Sequence, residues 1–114
     1  MGKLTIDKDD AFVEFVCDQL DEFDIVTYKP MFGGYALYSG VLFFGIVYNG
    51  RLYFKTDTTT QLQYEEWEME PFQSNAAQSL GSYFEVPPDA LDNAQMLCTL
   101  AQEAAEIVHR ASKK

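Results

Sequence analysis

Cysteine, histidine and serine are the residues from which this sequence could build a catalytic or metal site. Cys17 and Cys98 lie far apart in the chain, and neither has the paired spacing of a zinc knuckle or a redox motif. His109 is the only histidine, and we place it on the rim of the last helix. No serine occupies a G-x-S-x-G elbow. We therefore expect no catalytic residue, no metal ion, and two reduced, unpaired thiols packed beside apolar neighbours.

The glycines do not form a phosphate-binding loop. Gly40 and Gly50 are explained by turns, and Gly45, inside a predicted strand, indicates a bulge or the close approach of another backbone. No G-x-G-x-x-G or P-loop pattern precedes a helix. The sequence therefore predicts no nucleotide site and no cofactor.

One short motif remains, Met31-Phe32-Gly33-Gly34. Two glycines after Pro30 and before a strand allow positive φ or close backbone approach, and the two large apolar side chains can pack at the same corner. Glycine pairs usually serve backbone geometry, so a structural corner is the simpler interpretation.

Composition and charge limit the classes of protein and partner. The chain has 114 residues and a net charge of -10, from 18 acidic and 8 basic residues, and 47% of its residues are hydrophobic. This describes one acidic domain over residues 1–114 with a single core. No apolar run is long enough for a membrane helix and the N-terminus lacks a signal-peptide core, so we expect a cytoplasmic protein without membrane contact. The acids concentrate in residues 1–24 and 57–70, which indicates solvated helix faces or, alternatively, docking surfaces for a basic partner.

Hydrophobic periodicity and turn residues predict the elements. Apolar residues at helical spacing indicate a first helix over residues 7–23, and residues 25–29 form a short edge strand that stops at Pro30. The turns Ser39-Gly40 and Asn49-Gly50 divide residues 35–55 into three antiparallel strands. A helix with a capping box of Thr58 and Gln61 follows, then a strand over residues 82–86 and a last helix capped by Asp92 and Gln95. The predicted fold is α+β, with a mainly antiparallel sheet (a meander around residues 25–56 plus a later strand) and N-terminal and C-terminal helices.

The strand from Arg51 to Lys55 alternates, and this predicts an interaction surface. Leu52 and Phe54 face the core, so Tyr53 points to the other sheet face together with Arg51 and Lys55. If helices cover only one face, Tyr53 lies near the centre of an exposed patch for self-association or partner docking. The alternative is that the segment 57–80 or the termini cover this face.

The motif and its surroundings resemble a known family. Met31-Phe32-Gly33-Gly34 is followed by an aromatic strand, an apolar strand and Gly50-Arg51-Leu52-Tyr53-Phe54-Lys55, and later by Ser82-Tyr83-Phe84-Glu85-Val86-Pro87. In this combination and order the chain resembles, over nearly its whole length, the N-terminal domain of the TfoX (Sxy) family. The resemblance implies a regulator of competence genes in naturally transformable bacteria, with no defined catalytic residues. Full-length regulators have a second, C-terminal domain, so the chain corresponds either to one domain of a longer protein or to a single-domain member.

Three functions are compatible with these residues. The first is a non-enzymatic regulatory domain that reaches DNA indirectly, through a transcription regulator or RNA polymerase. The second is a chaperone-like or scaffold module that holds a partner segment on the aromatic sheet face. The third is a small-molecule binder or an enzyme with a pocket lined by Phe32, Tyr35, Tyr38 and Trp67.

The distribution of charge predicts weak binding to duplex DNA. The bases are scattered and form no stripe that could neutralise several phosphates, while the net charge opposes approach to DNA. We expect fluorescence anisotropy at physiological salt to show no binding at micromolar concentrations of protein. A micromolar or tighter dissociation constant would contradict both this prediction and an indirect route to DNA.

Overall fold

An antiparallel sheet of five strands organises the molecule. The computed structural model describes residues 8–31, 33–73 and 80–112. In chain order the elements are α1 (Lys8–Gln19), β1 (Val26–Met31), β2 (Gly34–Ser39), β3 (Leu42–Tyr48), β4 (Arg51–Lys55), α2 (Thr60–Glu66), β5 (Tyr83–Glu85), α3 (Pro88–Leu91) and α4 (Ala94–Ser112). The strands follow one another across the sheet as β1-β2-β3-β4-β5, each antiparallel to its neighbour. This confirms the predicted α+β fold, with its meander, its later strand and its helices towards both ends.

Helices cover one face of the sheet and form the main core there. The amphipathic helix α4 lies on β3 and β4, and α1 contacts β1, β2 and β3. Their apolar stripes meet the inward side chains of the strands in a cluster that includes Val13, Val16, Leu20, Leu37, Phe44, Val47, Leu52, Phe54, Leu97, Leu100, Ala101 and Ala104. Within the described ranges, no helix has the length and apolar content needed to cross a bilayer.

The Asn49-Gly50 turn is held by a buried carboxylate from the first helix. Asn49 has φ 55° and Gly50 has φ 78°, as a tight two-residue hairpin requires. Asp9, only 4% exposed, accepts hydrogen bonds from the backbone N–H of Asn49 (2.9 Å) and of Gly50 (2.7 Å). The prediction that the acids of this helix form a solvated face is therefore wrong for Asp9, because it serves as an acceptor for a turn far along the chain.

Two more acids of the same helix also contact the sheet. Tyr35 donates its hydroxyl hydrogen bond to Asp10, and Tyr28 donates to Glu14. These contacts orient α1 across β1 and β2, so the acidic side of the helix is partly structural. Asp7, the first residue of the predicted helix, lies outside the described residues.

The structure corrects both predicted helix caps. Asp57 accepts the N–H groups of Thr59 (3.0 Å) and Thr60 (2.9 Å), so Asp57, and not the predicted Thr58 and Gln61 box, satisfies the start of α2. At α4, Asn93 accepts the N–H of Met96 at 3.1 Å in place of Asp92. Several neighbouring residues at each site have suitable side chains, and the path of the incoming chain decides which one reaches the free N–H groups.

The sequence predicted the edge strand and the bulge close to where the structure has them. β1 continues through Pro30 to Met31, two residues past the end of the predicted strand, because an edge strand tolerates a residue without an N–H. The register between β2 and β3 shifts after Leu37, which faces Gly45, while Tyr38 faces Phe43. Phe44 is left without a partner on β2, so a bulge lies next to Gly45, which is one of the two interpretations that the sequence allowed there.

The corner between β1 and β2 generates a stability prediction. A Cβ on Gly34 would lie 2.2 Å from the carbonyl oxygen of Val47. A Cβ on Gly40 would meet nothing within 4 Å, and the only strain there would come from the backbone φ of 63°. We expect Gly34→Val to lower the free energy of unfolding by at least about 3 kcal/mol, and Gly40→Ala by about 1 to 2 kcal/mol. Urea denaturation measures both changes.

Gly81→Ala serves as the control for this comparison, because its Cβ also meets nothing and its φ is not positive. Equal losses for Gly34→Val and Gly40→Ala would show that the corner tolerates side chains.

Candidate functional site

The Met31–Gly34 motif forms a structural corner. Gly33 has φ 86°, and Gly34 packs with no room for a side chain against the backbone of β3. Met31 is half-buried, and Phe32 lies outside the described residues. A cavity of about 200 Å³ beside the corner is lined by Asp9, Gly33, Tyr48 and Asn49, but the Asp9 carboxylate in it is already engaged by the turn. The two glycines therefore serve backbone geometry.

The predicted surface around Tyr53 is covered. Tyr53 points away from the helices, as expected, together with the exposed Arg51 and the half-buried Lys55. However, Tyr53 is only 8% exposed, because Phe72 lies against it with ring centroids 5.1 Å apart. The expected exposure of Tyr53 was wrong, and the alternative, cover by the 57–80 segment, describes this face. Whether the rim around Arg51 and Lys55 docks a partner stays a prediction.

The cover is attached to the sheet by backbone hydrogen bonds. Pro71 bridges to Phe84, Phe72 N–H bonds to the carbonyl of Tyr83 (2.7 Å), and Glu85 N–H bonds to that of Glu70 (2.9 Å). Phe72 thereby joins a second apolar cluster, on the face opposite the helices, whose buried members are Ile46, Tyr53, Phe72 and Tyr83.

Aromatic rings on this face stack on one another. Tyr38, Phe43 and Tyr83 follow at centroid distances of 5.6 and 5.1 Å with interplanar angles near 30°. Lys29 lies 5.1 Å from the centroid of Tyr38, and Lys55 lies 5.4 Å from that of Tyr83. Ring faces that contact each other are not free to stack on nucleobases, which is how aromatic sheet surfaces bind single strands.

A polar cavity of about 250 Å³ lies at the edge of this face. Its charged lining includes Arg51 and Glu85, whose Nε and Oε2 atoms are 3.9 Å apart. Tyr48 and Tyr53 also line it, and burial is the main cause that raises the pKa of the Tyr53 phenol. The cavity therefore presents a guanidinium, two carboxylates (Glu70 and Glu85) and two phenol groups to a small polar molecule.

The aromatic pocket expected from Phe32, Tyr35, Tyr38 and Trp67 is not assembled. Tyr35 packs on the helix-covered face against Tyr28, while Tyr38 belongs to the stack on the opposite face. Trp67 packs edge-on against Tyr64 beside the main core. Tyr35 and Tyr38 are three residues apart along β2, so their side chains point to opposite faces of the sheet and cannot line one pocket.

An apolar groove that the sequence analysis missed lies at the end of the sheet where β2 turns into β3. Phe23 and Leu42 contribute its apolar side chains together with Ala105 of α4, and its volume is about 310 Å³. At the same end, Ile25 is 81% and Val41 92% exposed. The Phe23 ring makes an edge-to-face contact with the buried ring of Phe44, with centroids 5.5 Å apart, so the side of the groove that Phe23 forms is preformed. The available signal was an aliphatic residue inside a Gly-containing turn, where the side chain must point into water.

The rim of this apolar groove is acidic. Glu106 lines it, and the exposed acids Asp21, Glu22 and Asp24 flank Phe23 in the chain. The Ser39 hydroxyl, and then the Ile25 N–H, hold the pKa of Asp24 below its ordinary value, so this carboxylate stays ionised. The cation Arg110 pairs instead with Asp57 at 3.3 Å. The rim therefore carries a negative charge.

The two thiols and the histidine lie in separate environments within the described residues. Burial, with Glu14 and Asp18 adding to it, raises the pKa of the Cys17 thiol to about 11, which keeps it protonated and a poor nucleophile. Cys98 is also a free thiol and half-buried, with its sulfur 3.5 Å from the carbonyl oxygen of Gln19. His109 is exposed in the last turn of α4. Among the residues that the structure describes, no three His, Cys, Asp or Glu side chains are grouped to hold a metal ion.

The arrangement of helices on one face of an antiparallel meander defines an α+β domain. The model of the TfoX N-terminal domain family matches residues 18–107, which is most of the chain, and the protein therefore belongs to that family. The family is of a regulatory type linked to competence and DNA uptake, and it is not a known enzyme family. A comparison with curated proteins finds no match.

The burial of Tyr53 generates a mutational prediction. Tyr53→Asp places a carboxylate against the apolar ring of Phe72, where burial penalises the charge. We therefore expect a loss of about 3 kcal/mol or more in the free energy of unfolding. Tyr53→Phe keeps the ring and should cost less than about 1 kcal/mol. Thermal unfolding followed by circular dichroism compares the two variants, and an unchanged melting temperature for Tyr53→Asp would show that this face is open.

Proposed function

We propose that the protein is a non-enzymatic, cytoplasmic regulatory domain that acts through protein contacts in the transcription of competence genes. Membership of the TfoX N-terminal domain family supports the pathway. The acidic surface and the occupied aromatic faces support an indirect route to DNA, through a DNA-binding activator or RNA polymerase.

The observation that carries the proposal is the apolar groove beside α4. Exposed aliphatic side chains that are scattered singly are ordinary, but Ile25 and Val41 lie at one end of the sheet next to a preformed groove. Apolar side chains grouped around a groove and rimmed by charge mark a protein contact. The raised pKa of the Cys17 thiol adds support, because a protonated thiol is a poor nucleophile.

A genetic experiment tests the proposal. In the bacterium that encodes the chain, deletion of the gene should lower competence-gene transcripts and transformation frequency, and the wild-type gene should restore both. Ile25→Ser with Val41→Ser should fail to restore them although the protein folds, because both side chains lie in water. Leu62→Ser is the matched control, since Leu62 is 62% exposed on α2, which contributes no residue to the groove, whereas Val41 precedes the lining residue Leu42 and Ile25 follows Phe23 by two positions.

Two results would contradict the proposal. Normal transcripts after deletion would reject the pathway. Full complementation by the double variant would reject the exposed aliphatic side chains beside the groove as part of the contact.

A second candidate function is the binding of a small polar molecule in the cavity beside Arg51. The specific observation is the cavity of about 250 Å³, in which Arg51 and Glu85 form only a loose pair and leave hydrogen-bonding capacity for a zwitterion. Free amino acids at millimolar concentration serve as probes in an amide NMR titration. Shifts confined to Tyr48, Arg51 and Glu85, and lost in Arg51→Gln, would favour this function, and their absence would reject it.

The chaperone-like alternative has less support. It needs an open aromatic sheet face, and there Phe72 already covers Tyr53.

A further inference from the structure

We propose that the apolar groove binds a basic amphipathic helix of a partner protein, with its apolar side chains against Phe23, Leu42 and Ala105 and its Lys or Arg side chains towards the acidic rim. This inference rests on the proposed function only in taking the partner to be a protein. It adds the chemistry by which that partner would be recognised.

The shape of the groove fits helical spacing. Gln102, Glu106 and His109 line it from α4 at positions i, i+4 and i+7, so it runs along about two turns, or roughly 10 Å, of that helix. A partner helix presents apolar side chains at i, i+3, i+4 and i+7 over the same length. Such a helix can fill the groove and extend over Ile25 and Val41, the two most exposed aliphatic side chains at this end.

Charge decides between the possible occupants. The rim acids Asp24 and Glu106 face no described cation in a salt bridge, since the pairs found among described residues are Arg51–Glu85 and Arg110–Asp57. A second copy of this chain also carries a net charge of -10, and its helix α1 is acidic, so self-docking is opposed by repulsion. Nucleic acid is opposed for the same reason. A segment rich in Lys and Arg is the complementary occupant.

The experiment uses designed peptides as probes. A fluorescein-labelled helix of about 15 residues, with Leu at the i, i+3, i+4 and i+7 positions and Lys elsewhere, is titrated with the protein. Two matched peptides replace either every Lys by Glu or every Leu by Ala. The Leu/Lys peptide should bind at least about tenfold more tightly than either one, because it alone supplies both the apolar and the electrostatic terms.

Protein variants locate the binding site. Ile25→Ser with Val41→Ser should weaken binding of the Leu/Lys peptide by about tenfold, while Leu62→Ser should change it less than twofold. Glu106→Lys tests the charge, with Glu66→Lys on α2 as the control of equal charge change. Melting temperatures of all variants are measured first, and amide NMR shifts should map to Phe23, Leu42 and the α4 residues of the groove.

Three outcomes would overturn the inference. The Leu/Glu or the Ala/Lys peptide binds as tightly as the Leu/Lys peptide, the groove variants bind like their controls, or the NMR shifts map to α1 alone, which would mean attraction to the acidic helix without the groove. These measurements are independent of the genetic test. Loss of the competence phenotype with no peptide binding would leave the pathway standing and reject the helix, and the reverse result would reject the pathway alone.

Discussion

The central strands of this domain carry bulky apolar side chains on both faces, so the sheet has to be covered twice. β4 shows this most directly: Leu52 and Phe54 pack under the helices, and Tyr53 packs on the other side. The helices α1 and α4 supply the first layer, and Phe72, attached through its backbone to β5, closes over the second. Burying one large apolar side chain on each face stabilises the fold by several kcal/mol. That is comparable to the whole free energy of unfolding of a small domain. Covering both faces also buries the apolar side chains of β4, so they are not open to a partner.

Of the described large apolar side chains, the two most exposed, Val41 and Ile25, lie together at one end of the sheet. The groove lies between α4 and Leu42, the first residue of β3, next in the chain to the turn of Gly40 and Val41. Its negative charge comes from acids in the segment between α1 and β1 and from Glu106 of α4. The position of the groove and its negative charge both depend on the residues at the edge of the helical layer. They agree with recognition of a basic helix.

Local patterns in the sequence were sufficient for the fold but insufficient for the site. The alternation of Arg51 to Lys55 and the turn pairs Ser39-Gly40 and Asn49-Gly50 act within a few residues, and both were predicted correctly. The burial of Tyr53 depends on Phe72, which reaches it only through the bridge of Pro71 to Phe84, and no local periodicity contains that pairing. The helix caps failed for the same reason, since Asp57 and Asn93 compete with equally suitable neighbours.

The hydrogen bonds from the Asn49-Gly50 turn to Asp9 have a consequence for how the domain folds. The hairpin of β3 and β4 closes a very short loop and can form within microseconds. The bond from Gly50 to Asp9 joins residues 41 positions apart, and the chain entropy lost in closing so long a loop is repaid only once α1 has docked. We therefore expect this carboxylate to act after the rate-limiting step, where it slows the opening of the finished structure and leaves the rate of its formation almost unchanged.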